Sequence, residues 1–346
     1  MSESKFFAID PELEDYWRAI ILFGKNVACY KFALAKSLLE LAPQGKSIIT
    51  LEDLSEPYSR HIIEHLKIVD KQTTSLSSRF LDACRQFNTG DITKTRLIDT
   101  TVQRGFENVI DAFHNLSVGE TPVRFFIDER RRSNKGIVLT DELFKLLEKL
   151  QSENLPHEVE ARWRLVETAW ELNISRNLIS IGYDPNNQLL FTFSDRRRRV
   201  DVTSCRDALN GYQKGKCFYS FADISIEPGS TNLADVDHFI PYSLNEYISN
   251  IDGVWNLVLS STECNRGKRG KFDRLPDSKY LDRLHNRNEF LITSNHPLRE
   301  TLIQQTGNTT KHRRNFLQCK YSKAQSRLGT GSNHGWKSEF EYPATF

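Results

Sequence analysis

Apolar residues recur at helical spacing through the first half of the chain and switch to strand alternation near residue 176. From Trp17 to Leu41 the sequence is dense in Leu and Ala and too long for a strand. Lys25, Lys31 and Lys36 interrupt it, so it reads as a buried helix rather than a membrane span. Thr140 precedes Asp141 and Glu142, then Leu143, Phe144, Leu146, Leu147 and Leu150. That is the order of an N-cap, an acidic first turn and an apolar stripe. Pro156 opens another helix, with Val159, Trp163, Val166 and Trp170 spaced along one face. Residues 1–175 therefore read as a mostly helical domain. Within them, Arg130-Arg131-Arg132 reads as a solvated loop ahead of the next element.

Beyond residue 176, Ile179, Ile181 and Tyr183 alternate with smaller or polar residues. Asp184-Pro185-Asn186-Asn187 supplies a turn, and Leu189, Phe191 and Phe193 alternate on the return. The hairpin runs into Arg196-Arg197-Arg198-Arg199, which suits a nucleic-acid backbone and a solvated turn equally. Val200-Asp201-Val202 and a short helix over Cys205–Tyr212 follow. Past Pro276 the pattern is helical again over Lys279–Leu291 and His296–Gln305. It then gives way to a basic, Gly/Ser/Asn-containing tail with Lys311, Arg313, Arg314, Lys320, Lys323 and Arg327. The expected fold class is α+β. Its parts are a helical domain over 1–175, a hairpin and short helix over 176–213, a compact strand–loop–strand–helix unit over 214–276 and a basic helical region over 277–346.

Composition adds a charge asymmetry. Residues 1–190 hold 24 Lys+Arg against 28 Asp+Glu, whereas residues 191–346 hold 23 against 17. The basic half is suited to phosphates, though the excess is modest. The six cysteines form no C-x-x-C pair, and Met1-Ser-Glu-Ser-Lys leads into no apolar signal region. Both point to a reducing, cytoplasmic setting.

The chemistry concentrates in the basic half. Val236-Asp237-His238 reads as the end of a short strand closed by Pro241. Val254–Leu259 reads as a second strand, and Ser260–Glu263 as the start of a helix carrying Cys264-Asn265-Arg266-Gly267-Lys268. In such a unit Asp237 and Asn265 can share one divalent cation, while His238 points to the other side of its strand. One carboxylate and one amide leave positions open for phosphate and water, as Mg²⁺ prefers. His238, neutral near pH 7, can take a proton from water, a role worth roughly 10²–10⁴ in rate. Asn256 can fix the loop that holds His238. Arg266, Lys268, Arg269 and Lys271 are the expected phosphate contacts.

These residues resemble the HNH, or ββα-metal, nuclease family. Asp237-His238 matches its Asp-His pair, Pro241 and Ser243 the following Pro-x-Ser, and Asn256 its central Asn. Asn265 stands where the family has a final His or Asn, which makes this the H-N-N version. Asp235-Val236-Asp237-His238 with Asn265-Arg266-Gly267-Lys268 is especially similar to the HNH domain of RNA-guided CRISPR effector nucleases. The resemblance covers about residues 210–276. It implies an endonuclease using Mg²⁺, with Mn²⁺ as a substitute, on double-stranded DNA, in a setting such as phage defence or restriction. A nucleic-acid-binding protein with an inactive HNH unit is the alternative. Residues 1–175 show no such resemblance and suit a protein partner that licenses the nuclease.

Many HNH domains carry a structural zinc between two C-x-x-C pairs. Here only Cys217 and Cys264 remain of those four thiols, too few for a closed tetrahedral site. A lost zinc knuckle with the two thiols packed as small apolar residues is the expectation.

Overall fold

The computed structural model describes residues 12–23, 28–75, 77–116, 119–132, 135–149, 152–171, 181–193, 199–293, 298–328 and 335–346. Ile179 of the expected hairpin, His296 and the arginines at 196–198 lie outside them. The fold is α+β, with many helices and small antiparallel sheets. It divides into one unit of residues 10–173 and another holding residues 174–346. No helix among the described residues is long and apolar enough to cross a membrane.

In the first unit the Trp17–Leu41 stretch forms two helices, α1 (Leu13–Phe23) and α2 (Tyr30–Leu41), not one. The Cys29 amide breaks the ladder by donating to the Gln72 carbonyl at 3.0 Å, just ahead of α2. Next come α3 (Leu51–Leu66), capped by Thr50 accepting from the Asp53 amide, and α4 (Arg79–Thr89). They are followed by α5 (Lys94–Thr100), α6 (Val109–Ala112), α7 (Asp141–Leu147) and α8 (Leu155–Glu171). On α8, Val159, Trp163, Val166 and Trp170 are all buried, as their spacing anticipates. An antiparallel sheet of β1 (Ile48–Thr50), β2 (Phe126–Asp128) and β3 (Gly136–Leu139), with β3 central, was not anticipated. Gly136 is needed there, because a Cβ would meet the Ile49 carbonyl oxygen at 2.0 Å. The core holds a polar cluster. Arg18 donates to both oxygens of Glu158, and His65 lies flat against Trp163 while bonding Glu167 and Glu160.

The second unit opens with β4 (Gly182–Asp184), β5 (Leu189–Phe193) and β6 (Arg199–Ser204), an antiparallel meander. Asp184 accepts from the Asn186 and Asn187 amides and so builds the first turn with its own side chain. Helix α9 (Cys205–Gln213) leads to β7 (Asp235–His238), β8 (Leu257–Ser260) and α10 (Thr262–Arg266). Helices α11 (Lys279–Thr293), α12 (Arg299–Thr306) and α13 (Thr310–Leu328) follow.

The basic residues expected in the C-terminal region and tail are held in ordered structure. Lys311 to Arg327 lie on α13, where Arg313 is buried and forked onto Glu289. Residues 335–346 run back over the β7–β8–α10 unit. Trp336 donates its indole N–H to the Arg269 carbonyl, the Tyr342 amide donates to the Ser220 carbonyl, and Phe346 packs on Tyr212 and Phe221. Glu341 pairs with Lys279 and Arg283.

Candidate active site

Strands β7 and β8 pair antiparallel, with Asp237 opposite Val258 and His238 opposite Leu257. Strand β8 is wholly buried and apolar up to Ser260. Gln213 of α9 extends its hydrogen bonding by both accepting from and donating to Leu259. Ser261 then caps α10 by accepting from the Cys264 amide at 3.2 Å, so this single residue separates strand from helix and Asn265 falls in the helix's last turn. Strand alternation puts Asp235 and Asp237 on one side of β7 and His238 on the other.

Asn256 is fully buried and makes three side-chain hydrogen bonds. Its Oδ1 accepts from the Ile240 amide at 2.8 Å, and its Nδ2 donates to the carbonyls of Ile240 and Ile251 at 3.0 and 2.9 Å. Its backbone carbonyl also takes the Phe239 amide at 2.7 Å. The loop leaving His238 is thus clasped on both of its edges. The chain ahead of Asn256 is held in turn by α11: Arg287 donates to the carbonyls of Val254 and Trp255, and Asn288 to that of Trp255.

His238 is about one-seventh exposed, and its Nε2 lies 2.8 Å from Asp252 Oδ1. Its ring also meets Tyr183 and Tyr242 at 6.1 and 5.4 Å between centroids. Asp252 was not singled out from the sequence. It sits in an irregular loop, and only the fold brings it to the histidine.

Asp237 and Asn265, expected to share an ion, engage different partners. Asp237 is buried; its Oδ2 accepts from the Tyr219 hydroxyl at 2.6 Å and its Oδ1 from Lys271 at 3.0 Å. Asn265 instead donates to Asp235 Oδ2 at 3.1 Å, and Arg266 pairs with the same Asp235. Asp235 is thus a carboxylate of the site whose position in the Asp-Val-Asp-His run could have flagged it.

Lys271 stands elsewhere than expected. Placed among the phosphate contacts from sequence, it is wholly buried. Its ammonium donates to Asp237 Oδ1, to the His238 carbonyl at 2.8 Å and to the Phe272 carbonyl at 3.3 Å. The other three basic residues are at the surface. Arg266 and Arg269 are about two-thirds and three-quarters exposed, with Arg269 paired to Glu339, and Lys268 is exposed as well.

Among the described residues no three His, Cys, Asp or Glu side chains converge as a metal-binding group. A site of one or two carboxylates and an amide does not require one. The donor chemistry suits a hard cation, since Lys271 already draws three oxygens, one of them from Asp237, onto one positive centre. Cys217 and Cys264 are both buried in the core, as expected, beside serine hydroxyls. Ser261 Oγ donates to the Cys217 sulfur at 3.6 Å, and Ser338 Oγ lies 3.5 Å from that of Cys264.

No curated protein and no solved structure matches the chain. Its residues 217–273 match the model of a family described as HNH endonuclease, a span that begins at Cys217 and takes in Asp237, His238, Asn256, Asn265 and Lys271. Over those residues, the chain is similar to HNH endonucleases.

Proposed function

We propose that the chain is a metal-dependent endonuclease that hydrolyses phosphodiester bonds of DNA, with His238 as general base. The observation that carries this reading is the seating of His238 within the family-matched span. Asp252 engages one ring nitrogen, and Asn256 clasps the loop on either side of Ile240. With Nε2–H donating to Asp252, Nδ1 is left to take a proton from water. Asp237 and Asn265 would hold the divalent cation, with Asp235 beside Asn265 as a further oxygen donor. Bound there, Mg²⁺ or Mn²⁺ supplies charge neutralisation for the phosphate and the leaving oxygen. Lys268, Arg266 and Arg269 would bind the flanking phosphates from the surface.

In the same reading the setting is cytoplasmic, which the six free cysteines support. Residues 1–175 bind a protein partner that licenses the cut, an arrangement suited to antiviral defence. Affinity purification of the full chain, with partners identified by mass spectrometry, tests that part.

The nuclease reading is tested by incubating plasmid, linear duplex, single-stranded DNA and RNA with the protein. Each is run with Mg²⁺, with Mn²⁺ and with chelator, beside His238→Ala. Metal-dependent cutting of DNA that His238→Ala abolishes, with DNA binding retained, is expected. Undiminished cutting by His238→Ala overturns the mechanism. Binding without cutting under every condition leaves a nucleic-acid-binding protein with an inactive HNH unit.

A further inference from the structure

Phe272 has a φ of +48°, in the left-handed region, where a bulky side chain is strained and glycine or asparagine fits at lower cost. Its ring is 54% exposed, so burial offsets little of that strain. A lone exposed phenylalanine is ordinary on a protein surface, but one held in a strained turn is not. The turn is fixed from several sides. The Phe272 amide donates to the Asn265 carbonyl at 2.8 Å, and the Arg274 amide closes onto the Lys271 carbonyl at 2.9 Å. The Arg274 guanidinium donates to the Arg269 carbonyl at 2.8 Å. Lys271, the residue before the ring, carries the bonds to Asp237 and to the His238 carbonyl. The ring therefore stands at a set place relative to Asp237, His238 and Asn265.

The same ring lines a cleft of about 780 Å³, room enough for a nucleotide. Trp336 forms part of its apolar wall and is anchored there by its indole N–H on the Arg269 carbonyl. Lys268, Arg269, Arg274 and Lys337 line it as well, against the carboxylates of Asp273 and Glu339. Arg269 is paired with Glu339 and Lys337 with Asp277. Lys268 is exposed and enters no ion pair among the described residues. An aromatic face open to solvent, with a cation that lacks a salt-bridge partner in the same cleft, suits an unpaired nucleotide. The base stacks on the ring and the phosphate meets the ammonium. A base inside a duplex is already stacked on its neighbours and cannot offer that face.

We propose, resting on the reading of the chain as a protein that acts on DNA, that this cleft binds one unpaired nucleotide of the substrate strand, its base stacked on Phe272 and its phosphate on Lys268. The preferred substrate is then DNA with an unpaired base close to the cut, such as a bulge, a flap or a single strand. Phe272 selects that substrate and takes no part in the bond-breaking step.

The test measures binding by the full chain in chelator, so that cleavage plays no part. Fluorescence anisotropy is read for a perfect duplex, for the same duplex with a one-nucleotide bulge, and for that bulge lacking its base. The bulge with its base is expected to bind roughly tenfold more tightly than the abasic one, which keeps the phosphate but offers nothing to stack. Phe272→Leu keeps apolar bulk without a flat ring and should erase that ratio, with a melting temperature matching the parent's; Phe272→Trp should keep the ratio. Lys268→Gln should weaken both bulged forms and leave the ratio between them unchanged. Equal affinity for the two bulges, or a ratio that survives Phe272→Leu, overturns the proposal and leaves the DNA reading in place. Failure to bind any of the three overturns both.

Discussion

His238 Nε2 and Asp252 Oδ1 are 2.8 Å apart, which ties the end of β7 to a loop residue fourteen positions along the chain. A carboxylate on one imidazole nitrogen fixes the tautomer and the ring plane, so the base is oriented before substrate arrives. Asp252→Asn is expected to lower kcat for DNA cleavage by on the order of a hundredfold while leaving KM near its original value. Asp252→Glu should recover part of the loss. Single-turnover cleavage with a parallel binding titration separates the two effects. Equal rates for Asp252→Asn and the unaltered chain would remove Asp252 from the mechanism.

Asn256 closes three hydrogen bonds that no smaller side chain can make. Asn256→Ala strands the Ile240 amide and two carbonyls in a buried site, a cost of about 1–3 kcal/mol for each group left unpaired. The variant should lose cleavage, and amides of residues 239–241 should exchange hydrogen much faster while those of the helical unit do not change. Hydrogen-exchange mass spectrometry reads this directly. Unaltered protection at 239–241 would show that the clasp does not hold the loop.

Lys271 and Asp237 form a buried ion pair, so removing one charge leaves the other without compensation. Lys271→Met is expected to destabilise the second unit by roughly 3–5 kcal/mol, more than replacement of both partners by apolar residues. Denaturant melts of the single variants and of the Asp237→Leu/Lys271→Met double variant test it. A single variant as stable as the parent would mean that the pair is dispensable.

The first unit should weaken in acid. His114 is buried, accepts the Phe125 amide through Nε2, and has its pKa lowered to about 3, chiefly by burial. The unfolded chain, with its ordinary value of 6.5, binds the proton more readily than the folded one. The neutral histidine's contribution is therefore complete above 6.5 and is lost as pH falls from there towards 3. His61, also lowered to about 3 by burial, acts in the same direction. Thermal melts between pH 7 and 4 should show a falling midpoint. His114→Gln, which keeps an acceptor but cannot take the proton, should flatten the slope; an unchanged slope would assign the acid response elsewhere.

Much of the architecture was legible because it is periodic. The apolar face of α8, the Asp184–Asn187 turn with its flanking alternation, and the strand–helix order around Asp237 and Asn265 are all local patterns. What escaped depends on pairings distant in sequence. Strands β1 and β3 are three and four residues long, and Ile49 meets Ile137 across most of the first unit, so neither carries a pattern of its own. Lys271 sits in a basic run whose composition suggests a surface. Its burial is set by Asp237 on a separate strand. Asp252 has the same origin, since its place beside His238 exists only once Asn256 has drawn Ile240 and Ile251 together.

The packing of Trp336, Tyr342 and Phe346 over the domain sets a lower limit on what can be excised. A fragment ending near residue 276, where the motif stops, would lose α11 to α13 and would uncover Tyr212, Phe221 and the Cys264 sulfur. The smallest piece that keeps this packing intact therefore runs well past the recognisable motif.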